Sequence, residues 1–290
     1  MKRSKKTVCP TQSLDHILRK GQSLDLLKHL HILTADGKLN QDTRRKLKQV
    51  NHLLQFIEPL IAELRAQNIA PNVVDHGAGK SYLGFLLYDA LFGDSNNGSV
   101  WGIESRADLI TATASLAQLL GFKRMGFILG DTAHAVDTQT LPKDVHIVTA
   151  LHACNTATDD AIAFGLARQV PYMVLVPCCQ AEVAALLRQS TVKPTHSWAS
   201  LWQRPLHTRE FGSHLTNVLR CLQLEAAGYQ VTVTELVGWE HSLKNELILA
   251  KKHTNLDSKS TRTMMQLAKK QLNDLLVNTH LSVLAPRFLS

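Results

Sequence analysis

Long apolar runs are missing from this chain. None approaches the ~20 residues a bilayer-spanning helix requires, so no transmembrane segment and no membrane partner are expected. No apolar stretch of about 7–15 residues follows the basic start MKRSKKTVCPTQS either, so a secretory signal is not expected. Cysteine is scarce and odd in number, five in 290 residues with two adjacent at Cys178-Cys179. That pattern argues against a disulfide framework and for a cytoplasmic, reduced setting. The signature of disorder is also lacking: 44% of the residues are hydrophobic and 19% charged, as in a chain with a buried core. The length suits one large domain, or a domain of about 200 residues with a smaller element attached.

Acidic residues are sparse at one end. Residues 1–50 hold 12 Lys and Arg against 4 Asp and Glu, while the remaining chain holds 20 of each sign. The whole net charge of +8 therefore lies in the first fifty residues, densest at Arg44-Arg45-Lys46-Leu47-Lys48. A basic arm on a neutral body suits a polyanion such as RNA, because Lys and Arg neutralise phosphates and release counterions. It also suits a merely solvated terminus. Arg44, Arg45 and Lys48 are the candidate substrate-binding residues. No aromatic residues interleave with them, so stacking on single-stranded bases has little support.

Apolar positions Leu47, Val50, Leu54, Ile57, Ile61 and Leu64 recur every three or four residues, which predicts a helix from Asn40 to Leu64. Asp42 or Thr43 is the expected cap, and Pro59 is expected to kink or break the helix near its end. Two small helices are expected before it, around Leu14–Leu18 and Leu24–Leu33. Strand-like and helical runs alternate beyond it. Strands are expected at Asn72–Asp75, Ser99–Glu104, Gly126–Asp131, Val145–His152, Tyr172–Pro177, Tyr229–Val237 and Glu246–Ala250. Helices are expected at Ser81–Phe92, Ala107–Gly121, Thr158–Gln169, Ala181–Gln189, Glu210–Ala227 and Thr261–Asn278. Strands separated by helices imply right-handed crossovers and a parallel sheet covered on both faces. The last two strands lack a helix between them and should form an antiparallel hairpin. The expected fold is an α/β, Rossmann-like seven-stranded sheet with a basic helical N-terminal extension. Its divisions are 1–64, 65–252 and a helical tail at 253–290.

The first expected strand runs into Val73-Val74-Asp75-His76-Gly77-Ala78-Gly79-Lys80-Ser81. Gly77 and Gly79 permit a tight turn and close approach of the backbone to a ligand at a helix N-terminus. The third glycine of a dinucleotide fingerprint is missing, and so is the glycine spacing of a P-loop. Glu104 closes the second strand, where a carboxylate can accept from both ribose hydroxyls of a nucleoside cofactor. Asp131 closes the third, placed to meet an adenine edge. A nicotinamide-dependent oxidoreductase is the competing reading, against which the short turn and the terminal hairpin count. With an acid at the end of each of the first three strands, residues 70–250 resemble the class I S-adenosylmethionine (SAM) dependent methyltransferases. That resemblance implies SAM as cofactor, with Asp75, Gly77 and Gly79 at its methionine end, Glu104 at the ribose and Asp131 at the adenine.

The fourth and fifth strands end in His152-Ala153-Cys154-Asn155-Thr156-Ala157-Thr158-Asp159 and Cys178-Cys179-Gln180. In an open α/β sheet both ends face the ligand crevice. His152, Cys154, Asp159 and Cys179 are the candidate catalytic residues. His152 is the first choice as base or orienting group, its unperturbed pKa near ~6.5 suiting proton transfer. Asp159 can instead cap its helix, and the cysteines can be small buried hydrophobes. Covalent attack by Cys154 or Cys179 on a base is a further alternative, as is zinc held by these residues. Adjacent cysteines hold one ion poorly and no paired CxxC knuckle is present, so no metal is expected.

His-x-Cys-x-x-Ala-Thr-Asp followed by Cys-Cys is similar to a methyltransferase subfamily related to the tRNA acceptor-stem 2′-O-methyltransferases. There the motifs are commonly His-Leu-Cys-Gly-x-Ala-Thr-Asp and Cys-Cys-His-His. Here Ala153 and Asn155 replace Leu and Gly, and Gln180-Ala181 replaces the two histidines. Lys244-Asn245-Glu246-Leu247-Ile248 also resembles that subfamily's last strand. The resemblance implies a methyltransferase acting on RNA. A protein or small-molecule acceptor, and a non-catalytic RNA-associated factor, are the other readings. The number of associating copies is left open by the sequence.

Overall fold

A computed structural model of the chain describes residues 18–39, 41–93, 97–130, 140–151, 156–177, 181–189, 199–236 and 246–289. Helix α1 (Leu24–His29) starts at Ser23, whose Oγ accepts from the Leu26 amide at 3.1 Å. Residues 14–17 of the earlier apolar patch lie outside the described residues.

Helix α2 (Gln41–Ala66) carries the expected stripe, and Leu47, Val50, Leu54, Ile57, Ile61 and Leu64 are all buried. It already includes the two residues expected to cap it, and it runs on through Pro59. Proline frees the carbonyl four residues back, that of Gln55. Both Gln55 and Pro59 are exposed, so water can serve that carbonyl while Ile61 and Leu64 hold the last turns in the core. Packing of an apolar face thereby overrides the local breaker.

The strands are β1 (Asn72–His76), β2 (Ser99–Glu104), β3 (Met125–Leu129), β4 (Ile147–Leu151), β5 (Tyr172–Val176), β6 (Tyr229–Glu235) and β7 (Glu246–Lys252). They form one sheet in the order β3-β2-β1-β4-β5-β7-β6. The first five are parallel, and β7 pairs antiparallel with both β5 and β6. The expected seven-stranded sheet with its terminal hairpin is present. The connecting helices are α3 (Tyr82–Leu91), α4 (Ala107–Leu119), α5 (Ala157–Ala167), α6 (Glu182–Gln189), α7 (Ala199–Trp202) and α8 (Pro205–Ala226). Helices α9 (Lys259–Asn278) and α10 (Ala285–Phe288) complete the chain's C-terminal side. Helix α8 begins five residues before the expected Glu210, because Pro205 at its first turn has no N–H to leave unpaired.

Strand alternation divides the core. Val73, Val100, Ile147, Val174 and Val176 pack under α1, α2 and α3 on one face. Val74, Ile103, Val148, Met173 and Leu175 pack under α5 and α8 on the other. A third cluster joins α6, α7, α8, α9 and α10. The N-terminal helices thus share a core with the sheet, which fixes α2 over its first face. No described helix is long and apolar enough to cross a membrane.

Candidate active site

The glycine turn stands where β1 hands over to α3, at the carboxyl ends of the parallel strands. Gly77 and Gly79 both adopt positive φ, 64° and 58°, and Ser81 follows at 53°. At Gly79 a Cβ would meet nothing closer than Arg106 Nη2 at 3.9 Å, so the backbone there faces open space. A cavity of about 300 Å³ opens beside it, lined by Asp75, Gly77–Lys80, Tyr82, Leu83, Arg106 and Leu151, and by Lys46, Gln49 and Val50 of α2. That lies at the low end of small-molecule sites, roughly 300–1,000 Å³.

Glu104 ends β2 with its carboxylate turned to this turn. Its Oε2 accepts from the Gly79 amide at 2.8 Å, and its Oε1 accepts from Arg106 N and Nε, each at 3.1 Å. Partial burial alone would raise its pKa. The bonds from the Arg106 side chain and from the Gly79 and Arg106 amides outweigh it and hold the carboxyl below its ordinary range. An ionised acceptor therefore stands ready at the end of β2.

Asp75 behaves oppositely. It is buried at 3% exposure, and desolvation pushes its pKa up to about 7, opposed only by the Thr149 hydroxyl, which donates to Oδ1 at 2.7 Å. The next side chain, His76, points to the other face and stacks edge-on against Phe164 with centroids 4.6 Å apart. Among the described residues neither ring nitrogen has a hydrogen-bond partner, and burial brings its pKa down to about 3.

The sheet order is that of class I methyltransferases, and residues 45–186 match the family model described as a methyltransferase domain. This chain carries a class I SAM-dependent methyltransferase domain. The glycine cradle, the ionised Glu104 and the adjoining cavity fit a nucleoside cofactor with an amino-acid tail, and SAM is that cofactor. Solved methyltransferases resemble the domain distantly. One bound to S-adenosylhomocysteine (SAH), from Podospora anserina, is 11% identical at a TM-score of 0.45, with 86% of this chain and all of that one covered (100%). Magnesium protoporphyrin IX methyltransferase of Synechocystis PCC 6803 is 15% identical at 0.40, covering 78% and 94%. TrmK of M. capricolum is 10% identical at 0.38, covering 72% and 78%. At such scores the likeness stops at the general course of the chain. Among curated proteins no significant match is found.

The methyltransferase's remaining sequence candidates divide in three. Asp131, His152, Cys154, Cys178 and Cys179 lie outside the described residues. Leu151, immediately before His152, lines the cavity. Asp159 is buried in an ion pair: Arg220 Nε and Nη2 donate to its two oxygens at 2.7 and 3.0 Å. Arg220 also donates to Asn217 Oδ1 at 3.1 Å, and Asn217 donates to Glu246 Oε2 at 2.7 Å. Asp159 therefore ties α5 to α8, a structural use in place of the expected catalytic one, with both oxygens already taken. Arg45 and Lys48 are exposed on α2, and Arg44 is half-buried.

Lys46, Gln49, Val50 and Arg106 are cavity residues that sequence reasoning missed. The first three are spaced i, i+3, i+4, so they form one stripe on α2. Apolar periodicity marks the face of α2 that meets the sheet, to which Val50 belongs, and Lys46 and Gln49 flank it.

Proposed function

We propose that this methyltransferase acts on RNA, with Asp75, Gly77, Gly79 and Glu104 holding SAM and Arg44, Arg45 and Lys48 contacting phosphates. One observation carries the reading. The helix bearing the basic tract also forms a wall of the cofactor cavity through Lys46, Gln49 and Val50, so its cations flank the site where the acceptor must arrive. The motif resemblance to relatives of tRNA 2′-O-methyltransferases points the same way.

SAM, when bound, supplies a methyl group already activated on a sulfonium. The protein's part is to hold both partners in line and to exclude water. Glu104 accepts from ribose hydroxyls once Arg106 yields its place, and Asp75 accepts from the ammonium of the amino-acid end. His152, next to the cavity residue Leu151, takes the proton from an acceptor hydroxyl. Cys154, Cys179 and Asp131 keep the roles of auxiliary site residues in this reading, Asp131 at the adenine.

The test is transfer of radiolabelled methyl from SAM into a lysate of cells lacking the protein, with ribonuclease and protease arms. Label destroyed by ribonuclease is the expected result. Label that resists ribonuclease and yields to protease would move the acceptor to protein.

A further inference from the structure

We propose that Lys46 of α2 supplies the counter-charge for the α-carboxylate of SAM, which makes the N-terminal helix part of the cofactor site. This rests on the assignment of the cavity as the SAM site. The amino-acid end of SAM is a zwitterion and presents two charges to be met. Asp75 on β1 answers the ammonium. Three cationic side chains line the same cavity: Lys46, Lys80 and Arg106. Arg106 is drawn to the other end by Glu104, with Nε at 3.1 Å from Oε1 and Nη2 at 3.5 Å from Oε2.

Lys46 differs from both other cations in how it is held. It comes from α2, whose position over the sheet is set by a fully buried apolar stripe. Its Nζ stands 5.8 Å from the centroid of the Tyr82 ring, the first residue of α3. A cation within about 6 Å of an aromatic face is attracted by the ring, which narrows the orientations of an otherwise flexible side chain. Among the described residues no carboxylate lies within ion-pair distance of it, so its charge is available to a ligand. The ammonium thus stands beside the first side chain of α3, a helix whose first-turn amides also favour an anion. Both lysines are exposed, but Lys80 lies within the turn itself and has no aromatic ring beside it among the described residues.

The experiment compares equilibrium binding of SAM and of decarboxylated SAM, which lacks only the carboxylate, by calorimetry. Wild type, Lys46→Met, Lys46→Arg, Lys80→Met and Glu104→Ala are measured, with melting curves to establish that each is folded. Wild type should prefer SAM. Lys46→Met should weaken SAM about tenfold or more, as expected for a lost charge-assisted bond, and leave the decarboxylated ligand within about twofold. Lys46→Arg should restore part of the preference. Equal weakening of both ligands, or an unaltered preference, overturns the proposal. Transfer of the effect to Lys80→Met also overturns it. Glu104→Ala should weaken both ligands alike. If it weakens neither, or wild type binds neither, the cavity itself has been misassigned and the proposal falls with it. If only the Lys46 result fails, the cavity stands and Lys46 is not its carboxylate partner.

Discussion

Asp75 places a carboxyl group where water scarcely reaches, with the Thr149 hydroxyl as its one side-chain donor among the described residues. Its folded pKa of about 7 lies above the ordinary carboxylate value, so the folded state holds this proton more tightly than the unfolded chain does. The resulting stability is full in acid and is lost as pH rises from about 4 through 7. Asp75→Asn keeps an acceptor for Thr149 and removes the ionisation. The variant should match wild type near pH 4 and exceed it above pH 7, by on the order of 2–4 kcal/mol at most. Urea unfolding at several pH values reads this directly, and a constant difference across the range would refute it. Binding should run the other way. The ionised form accepts from an ammonium group, so SAH affinity of wild type should rise with pH through about 7. Lys46, Lys80 and Arg106 also line the cavity. Asp75→Asn should bind weakly and lose that slope. Gly79 adds a simpler expectation: at φ 58° and facing open cavity, a valine is strained and fills the cradle. Gly79→Val should abolish SAH binding in a protein that still melts cooperatively.

Between elements, the pair of Asp159 and Arg220 joins α5 to α8 across 61 residues of sequence. Arg220 is 1% exposed, so its removal strands a buried carboxylate. Arg220→Met alone should lower stability by about 3–5 kcal/mol, and the double variant Asp159→Leu/Arg220→Met should recover much of it. A double-mutant cycle by urea unfolding checks this, and additive losses would show that the pair is not coupled. Nothing in the sequence linked these two residues. Asp159 stood in a motif with His152 and Cys154, and motif membership suggested chemistry. Local signals read better. Buried parallel strands appear as continuous apolar runs bounded by turn residues, which is why β1, β2, β4 and β5 begin within two residues of expectation. Pro59 does not end α2, because a local breaker says nothing of the packing that carries the helix past it. Lys46 and Gln49 were invisible for a related reason. Periodicity reveals which face of a helix is apolar, and the element opposite its other faces is known only once the sheet is assembled.

At the scale of the whole molecule, the charge asymmetry becomes a matter of position. The excess of +8 belongs to residues 1–50, and α2 brings the last part of that segment to the rim of the cavity proposed for the cofactor. For the proposed RNA acceptor, cations placed there would raise its local concentration at the point of reaction, and their contribution would weaken with salt. For a single-stranded oligoribonucleotide, the slope of log affinity against log salt is about 0.7 per neutralised phosphate. Removing two exposed cations in Arg45→Ala/Lys48→Ala should flatten that slope by about 1.4, and adding Arg44→Ala should bring the change to about 2. SAH affinity serves as the internal control, because none of the three residues lines the cavity. An unchanged slope with intact SAH binding would leave α2 as a wall of the cofactor site only and place the acceptor's docking surface elsewhere. A flattened slope with unaltered SAH affinity would show one helix serving both ligands from different faces, Lys46 inward and Arg45 with Lys48 outward.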